Sequence, residues 1–488
     1  MSSNGARSIA CLPLAFADWQ FKSRPDLAPP RLNITIPVAS DADKGYLFVA
    51  PFAGFPDKPG ETYGPRQAAP YSFRDNGNLA RWNGKDVLFS FEGDHNALHG
   101  HGHGHTTILD QHYETIRELR AGNHKLTDKH EFHVINEKTA LIQIYQPVPR
   151  DLSKWELDIE TGKLLFEWSS LEHVLPDEAV LPLNPGQAGS GYNSSDAWDY
   201  FHINLVDKDK HGNYLISARD ACSVHKINGT SGEIIWRLDG KKSDFMLGRG
   251  VKFCFQHHAR FVSYEGDEEI ISLYDNSAHG TEDGRGREVH TASTSSGKII
   301  KLNTRTWEAT LVQSFYPPDG LRSKSQGGTQ LLPGGNVLVN WGSEGAVTEF
   351  RADGTPIFHA YMDSGFLGEG VENYRAFKYN WIGLPNEPPA IAYLGHGNDV
   401  AAYVSWNGDT ETAAWRFYSV IGDLGAREFL GEANRTSFET LLSLKGLRVE
   451  KIVADALSAD WKVLATTGIA TLEQDVEPPR RRLRAVSV

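Results

Sequence analysis

The feature that most limits what this chain can fold into is a turn-and-strand phrase that recurs along it. Asp158 to Trp168, reading DIETGKLLFEW, lines up with Asn228 to Leu238, reading NGTSGEIIWRL, and more loosely with Asn303 to Gln313 and Ala352 to Tyr361. Each copy is a tight turn that launches a run of strand composition. A second phrase, polar-Gly-Asn followed by a β run, occurs at His211 to Ser217 and again at Gly334 to Asn340. Repeats spaced about 50 to 75 residues apart fit four-stranded blades with loop insertions. Helical periodicity is scarce, and Glu439 to Leu444 is too short to carry weight. The expectation is an all-β fold, a six-bladed β-propeller with a central channel. Each blade's innermost strand lines the channel, and ring closure removes exposed sheet edges.

A chain of 488 residues exceeds the usual layered domain, but closed all-β architectures hold such lengths as one unit. We expect one propeller over 31–472, an N-terminal segment over 1–30 and a basic tail over 473–488 that begins Glu473 and includes Pro478-Pro479-Arg480-Arg481-Arg482. Arg7, the apolar run Ile9 to Phe16 and the small residues Ala15 and Ala17 have the form of a degenerate signal peptide. If it functions, the protein is secreted or lumenal; otherwise it is cytoplasmic. The net charge of −13 argues against nucleic acid or an anionic membrane surface as partner, because both need a basic face. A local basic pocket stays compatible with it. No run has the length to span a bilayer as a helix. No cofactor is expected, and a monomer is favoured. Of the three cysteines, Cys222 and Cys254 form one candidate pair once the segment holding Cys11 is set aside.

Chemistry concentrates between Ser194 and Arg260. A Trp198-Asp199-Tyr200-Phe201-His202-Ile203-Asn204 cluster opens this stretch, and Phe255-Gln256-His257-His258-Ala259-Arg260 closes it. If the first run is extended, Tyr200, His202 and Asn204 share one face. We read that face as channel lining in preference to a structural hydrogen bond between blades. His257 and His258 point to opposite faces if extended, so at most one is catalytic, and His257 is favoured. Further along, His99, His101, His103 and His105 alternate with glycines. Period two in a strand places all four rings on one side, which suggests a metal site. No carboxylate or cysteine completes a recognisable site, so we expect no metal. The opposing reading is that the glycines let two backbones approach. Trp168, Trp236 and Trp307 sit in the repeats and are read as blade core, whereas Trp198 and Trp341 are candidates to meet a ligand.

The motifs SRPDLAPPRLNIT, HGHGHTTILD (from His101), SDAWDYFHIN (from Ser195), GEIIWRLDGKKSDF, FQHHAR, YDNSA, PGGNVLVNWGS, YRAF and YVSWNG, in that order, resemble the arylsulfotransferase family in its fungal-type branch. The resemblance runs from about Ser23 to about Gly468. It implies a six-bladed propeller with its active site in the channel. In the bacterial relatives it implies sulfuryl transfer between phenols through a sulfated histidine. Such chemistry needs a neutral imidazole to attack sulfur, donors to hold the sulfuryl oxygens, and an acid and a base for the two phenols. His202, His257, Arg219, Arg260 and Asp199 are the catalytic candidates. Trp198, Tyr200, Asn204, His101, His105 and Trp341 are the candidate substrate contacts. Where the bacterial relatives carry the histidine that becomes sulfated, this chain reads Ser325-Gln326-Gly327-Gly328-Thr329-Gln330, with none.

Two classes of function follow. One is an enzyme of secondary metabolism acting on a small aromatic, polyketide-like or terpenoid-like substrate, either by aryl sulfotransfer or as a cofactor-free cyclase of pericyclic or Diels-Alder type. The other is a binding propeller with no convergence of ionisable groups in its channel. The clustering of His, Asp and Arg in inner-strand motifs favours the enzyme.

Overall fold

A computed structural model describes residues 19–27, 29, 31–53, 78–95, 100–122, 125–145, 153–158, 164–183, 188–280, 288–362, 370–396, 399–422, 425–447 and 449–474. The signal-like segment, His99 and the arginine-rich end of the tail lie outside the described residues. The chain divides into two compact units. One draws on 30–110 and 115–380, the other on Asp18–Pro29, Gln111–Glu114 and Trp381–Val488. The span expected to be one domain is thus shared between them.

Among the described residues the first unit carries five consecutive four-stranded antiparallel meanders in chain order, besides three two-stranded sheets. The first sheet uses Asn78–Trp82, Lys85–His95, Gly102–Leu109 and Thr115–Leu119. The second uses Phe132–Ile135, Thr139–Gln143, Ser153–Asp158 and Leu164–Ser169. The third uses Ile203–Lys208, Tyr214–Ala218, Ser223–Ile227 and Ile234–Asp239. The fourth uses His257–Glu265, Glu268–Asp275, Ser296–Asn303 and Glu308–Phe315. The fifth uses Gly328–Leu331, Val337–Asn340, Ala346–Phe350 and Pro356–Tyr361, and Asn33–Ile36 pairs along its outer edge. Residues from the first strands of the first, second, fourth and fifth sheets line one cavity, so the first strand of each sheet is its inner one. Repeated four-stranded meanders around a common axis are a β-propeller.

The repeated phrases fall at the same place in successive sheets. Asn228 and Asn303 open the last hairpin of the third and fourth. Each folds its side chain over the turn, the Asn228 Oδ1 accepting from the amides of Thr230 and Ser231 at 2.8 and 2.9 Å. The Asn303 Oδ1 does the same for Arg305 and Thr306 at 3.0 and 2.8 Å. These side-chain turns replace the ladder bonds that a sharp reversal gives up. Between the third and fourth sheets the core is apolar, with Leu205, Val224, Trp236, Leu238, Ile271 and Ile300 almost wholly buried. Trp168 and Trp236 are core, as expected. Trp307 is not: it takes a positive φ in its turn and stays 40% exposed against Phe245.

The second unit has two antiparallel sheets. One centres on Ala390–His396, Asp399–Ser405 and Glu439–Ser443, the other on Ala414–Ile421, Ala426–Asn434, Lys451–Leu457 and Val463–Thr466. Tyr393, Val404, Trp415, Phe417 and Ile452 form its core. Ser23 is tied into it by hydrogen bonds to Glu439 and Ser405.

Candidate active site

Candidate side chains gather where the inner strands begin. Histidines stand at or just before the first residue of three of them: His130 before Phe132, His202 before Ile203, and His257 opening its strand. The loops there are held in uncommon backbone geometry. His202, Cys222, Phe255, His258, Ser277 and Gln326 all have positive φ. Each such conformation costs a non-glycine residue of order 1 kcal/mol and persists only where the surroundings enforce it. A disulfide between Cys222 and Cys254 joins two of these loops, confirming the candidate pair.

At the centre lies the buried Asp199 carboxylate. Its Oδ2 accepts from His101 Nε2 at 2.7 Å and from His202 Nδ1 at 2.5 Å. Its Oδ1 accepts from the His202 backbone amide at 2.9 Å. Burial pushes the Asp199 carboxyl up, but the imidazoles of His202 and then His101 outweigh it and hold it well below the usual range. Burial likewise pushes His202 down, and Asp199 overrides that and raises it. With Nδ1 committed to Asp199, His202 Nε2 has no hydrogen-bond partner among the described residues. Tyr145 stacks on His101 with ring centroids 3.8 Å apart and donates to the Ile203 carbonyl. Burial and the neighbouring Asp199 charge push its phenol well up, so it stays protonated.

A second pair backs the first. Asp128 accepts from His130 Nδ1 at 2.5 Å and from the Gly102 amide at 2.7 Å. Burial drives His130 down to about 4 despite that carboxylate, so His130 is neutral at physiological pH. Its ring stands edge-on to His202 at 5.2 Å and to Tyr374 at 5.7 Å.

The other candidates take distinct places. His257 donates from Nδ1 to Asn276 Oδ1 at 2.7 Å and accepts at Nε2 from the Gln326 amide at 3.2 Å. Both its nitrogens are engaged, and burial followed by the Arg219 charge holds it well below the usual histidine value. The histidine-free segment therefore does reach the site, through a backbone amide. Arg219 donates to Asp220 at 3.1 Å and to the Lys324 carbonyl at 2.8 Å. Its buried Nε–H has no partner among the described residues. Next to it, His279 is held well below its usual value by burial and then by the Arg219 charge.

Arg260 lies deeper, donating to Val206 O at 3.2 Å and to Glu131 at 2.9 Å. Arg375 donates to the same Glu131 oxygen at 3.1 Å and to Asn204 O at 2.9 Å. Since Asn204 and Val206 lie further along the strand that begins at Ile203, just past His202, these ion pairs form a brace below the His202 chamber. The brace runs from the start of the second sheet to the fourth and is anchored on the third through the carbonyls of Asn204 and Val206.

Several expectations need correction. The extended alternation through Tyr200, His202 and Asn204 is broken by the left-handed His202. Tyr200 is core and donates to Val174 O. Asn204 makes a hydrogen bond between sheets, to Gln256 O at 2.6 Å, the structural role we had set aside. Trp341 is fully buried, its indole N–H given to Thr348 at 2.7 Å, and it packs as core. Trp198 lies partly buried beside the disulfide. The His-Gly run does not present its rings as a set: His101 reaches Asp199, His103 is exposed, and His105 stands 4.0 Å from Glu92. Its glycines serve the close approach, since a Cβ on Gly104 would come within 2.1 Å of Glu92 O. His101, Asp199 and His202 offer ligand atoms within 4.8 Å of one another, and both histidines hydrogen-bond Asp199 directly.

Sequence reasoning missed Asp128, His130, Tyr145, Asp220 and His279. The recurrence of His just before an inner strand was the signal available for His130.

Fold and site together define a β-propeller with a histidine-rich chamber at the starts of its inner strands. The family model described as Arylsulfotransferase (ASST) matches residues 79–363, from the first sheet to the fifth. This is more than half of the chain, and the chain belongs to that family. No curated protein matches it. Solved structures similar to it include a Bacteroides caccae protein of unknown function, 10% identical, covering 61% of this chain and 84% of that one with a TM-score of 0.34. Virginiamycin B lyase from Staphylococcus aureus is 8% identical over 84% of this chain and 96% of that one, with a TM-score of 0.28. Saccharomyces cerevisiae Sqt1 is 9% identical over 69% and 95%, with a TM-score of 0.29.

Proposed function

We propose that the chamber moves a sulfuryl group from an aryl sulfate to a phenol, with His202 Nε2 as the nucleophile. The observation that carries this reading is the Asp199 bridge. By accepting from His202 Nδ1 it fixes the tautomer whose lone pair sits on Nε2, the nitrogen with no protein partner. That lone pair forms the N–S bond while the S–O bond to the aryl oxygen breaks, and the departing phenolate takes up a proton. His101, on the same carboxylate, is the ring placed to carry that proton. The acceptor phenol then gives its proton back to His101, and its oxygen attacks sulfur. The N–S bond breaks and its electron pair returns to Nε2. The uncommitted Nε–H of Arg219 supplies a donor for the sulfuryl oxygens. His257, with both nitrogens engaged, acts in this reading as a positioning residue. We also place Phe377–Tyr379, paired with Tyr46–Phe48, as the inner strand of a sixth blade.

A cofactor-free cyclisation is the second reading, supported by the raised His202, which as an imidazolium would polarise a substrate carbonyl or hydroxyl. The two differ in sign: transfer through neutral His202 speeds up as pH rises through its pKa, and acid catalysis slows. The test is release of p-nitrophenolate from p-nitrophenyl sulfate with excess phenol, together with the protein's intact mass. Release with a sulfuryl adduct that His202→Ala abolishes is the expected result. No release and no adduct across several aryl sulfates would refute sulfotransfer.

A further inference from the structure

Below the brace lies a cavity of about 500 Å³ that the proposed chemistry does not use. Arg81, Arg260, His133 and His258 line it together with Phe261 and Phe377, and no Asp or Glu is among its lining residues. In a chain of net charge −13 such a lining is unusual. The nearest carboxylates are already held, Glu137 and Asp86 by Arg81 at 3.6 and 3.9 Å. Glu131 lies between the guanidiniums of Arg260 and Arg375, and Asp207 sets a second carboxylate near Arg260. Asp207 is bound by His133 at 3.2 Å and by the Phe261 amide at 3.0 Å. Arg260 commits two N–H donors to Val206 and Glu131, and a guanidinium has five.

We infer that this cavity is a second ligand site, separate from the His202 chamber, and that it takes an aromatic molecule bearing one anionic group. The phenylalanine rings take the aromatic body, and Arg260 takes the anion. The volume lies in the range of small-molecule pockets, and the shortage of carboxylates disfavours cations.

The probe is 2-naphthalenesulfonate, whose carbon-bound sulfur cannot be transferred, titrated by its own fluorescence. Val262 and Leu331 line the cavity and are each 38% exposed, so a charge at either is tolerated by the fold. Val262→Glu and Leu331→Glu should each weaken binding tenfold or more, while Val262→Gln and His202→Ala change it less than threefold. Uncharged 2-naphthalenemethanol should bind at least tenfold more weakly than the sulfonate. Absence of binding, binding that neither glutamate changes, or binding lost in His202→Ala would overturn the assignment. Each of these leaves the sulfotransfer reading standing.

Discussion

Replacing Asp199 by Asn tests the geometry of the chamber most directly, because it keeps the shape and removes the charge. The His202 backbone amide donates to one carboxylate oxygen, and both imidazoles donate to the other. An amide has only one oxygen. If it keeps the backbone bond, its NH₂ faces two ring nitrogens that must then present lone pairs. His202 is thereby driven to the tautomer with its proton on Nε2, the nitrogen needed for attack. A hydrogen bond to a charged group is worth about 1.5–3 kcal/mol, and two are lost or reversed. Since about 1.4 kcal/mol is tenfold in rate, Asp199→Asn should lower kcat/KM for aryl sulfate transfer by ~10²- to 10⁴-fold. The pH profile carries a second signature. Asp199 raises His202, and the proposed transfer needs it neutral, so wild-type kcat/KM should climb above the ordinary histidine range and then level. In the variant the midpoint should move down while the plateau falls. A variant within threefold of wild type, with its midpoint unmoved and its thermal unfolding intact, would refute the reasoning.

The brace gives a stability prediction: Glu131→Gln leaves Arg260 and Arg375 buried without their shared counter-charge and should cost about 3–5 kcal/mol, read as a lower urea midpoint. Gly104→Ala should destabilise by more than a typical substitution, roughly 3 kcal/mol or more, because its Cβ would overlap Glu92 O; near-native stability would mean that the two strands can part. Acid should weaken the fold early. His130, His257 and His279 are held below their unfolded values, so the unfolded chain takes up protons that the native state refuses as pH falls below about 6.5. His130 alone, at about 4, contributes a loss of about 1 kcal/mol at pH 5.5. The raised His202 acts in the opposite sense, gaining as pH falls, and urea titrations at pH 7.5 and 5.5 should show the net loss.

Much of the fold was legible because turn chemistry is local. Asn228 and Asn303 hydrogen-bond their own turns, so the repeat of hairpins can be read without knowing what packs on them. Asp199, His101 and His202 were legible as residue types in dense motifs. Their joint arrangement was not, because 98 residues separate His101 from Asp199 and nothing local records that they meet. Face assignments failed where the backbone left the extended region. One left-handed residue at His202 shifts the phase of the alternation, so Tyr200 and Asn204 turned out to be structural. Trp341 was misplaced because an aromatic in a strand motif looks the same whether its N–H meets a ligand or Thr348.

The Glu131–Arg260–Arg375 brace bears on the order of events as well as on stability. On the sulfotransfer proposal, a floor beneath His202 leaves donor and acceptor to share the approach from its other side. In that proposal the first phenol leaves by the route it entered before the acceptor comes in, and the sulfated form is what waits between the two. Initial-rate plots against donor at several acceptor concentrations should then be parallel lines, the pattern of a substituted-enzyme mechanism.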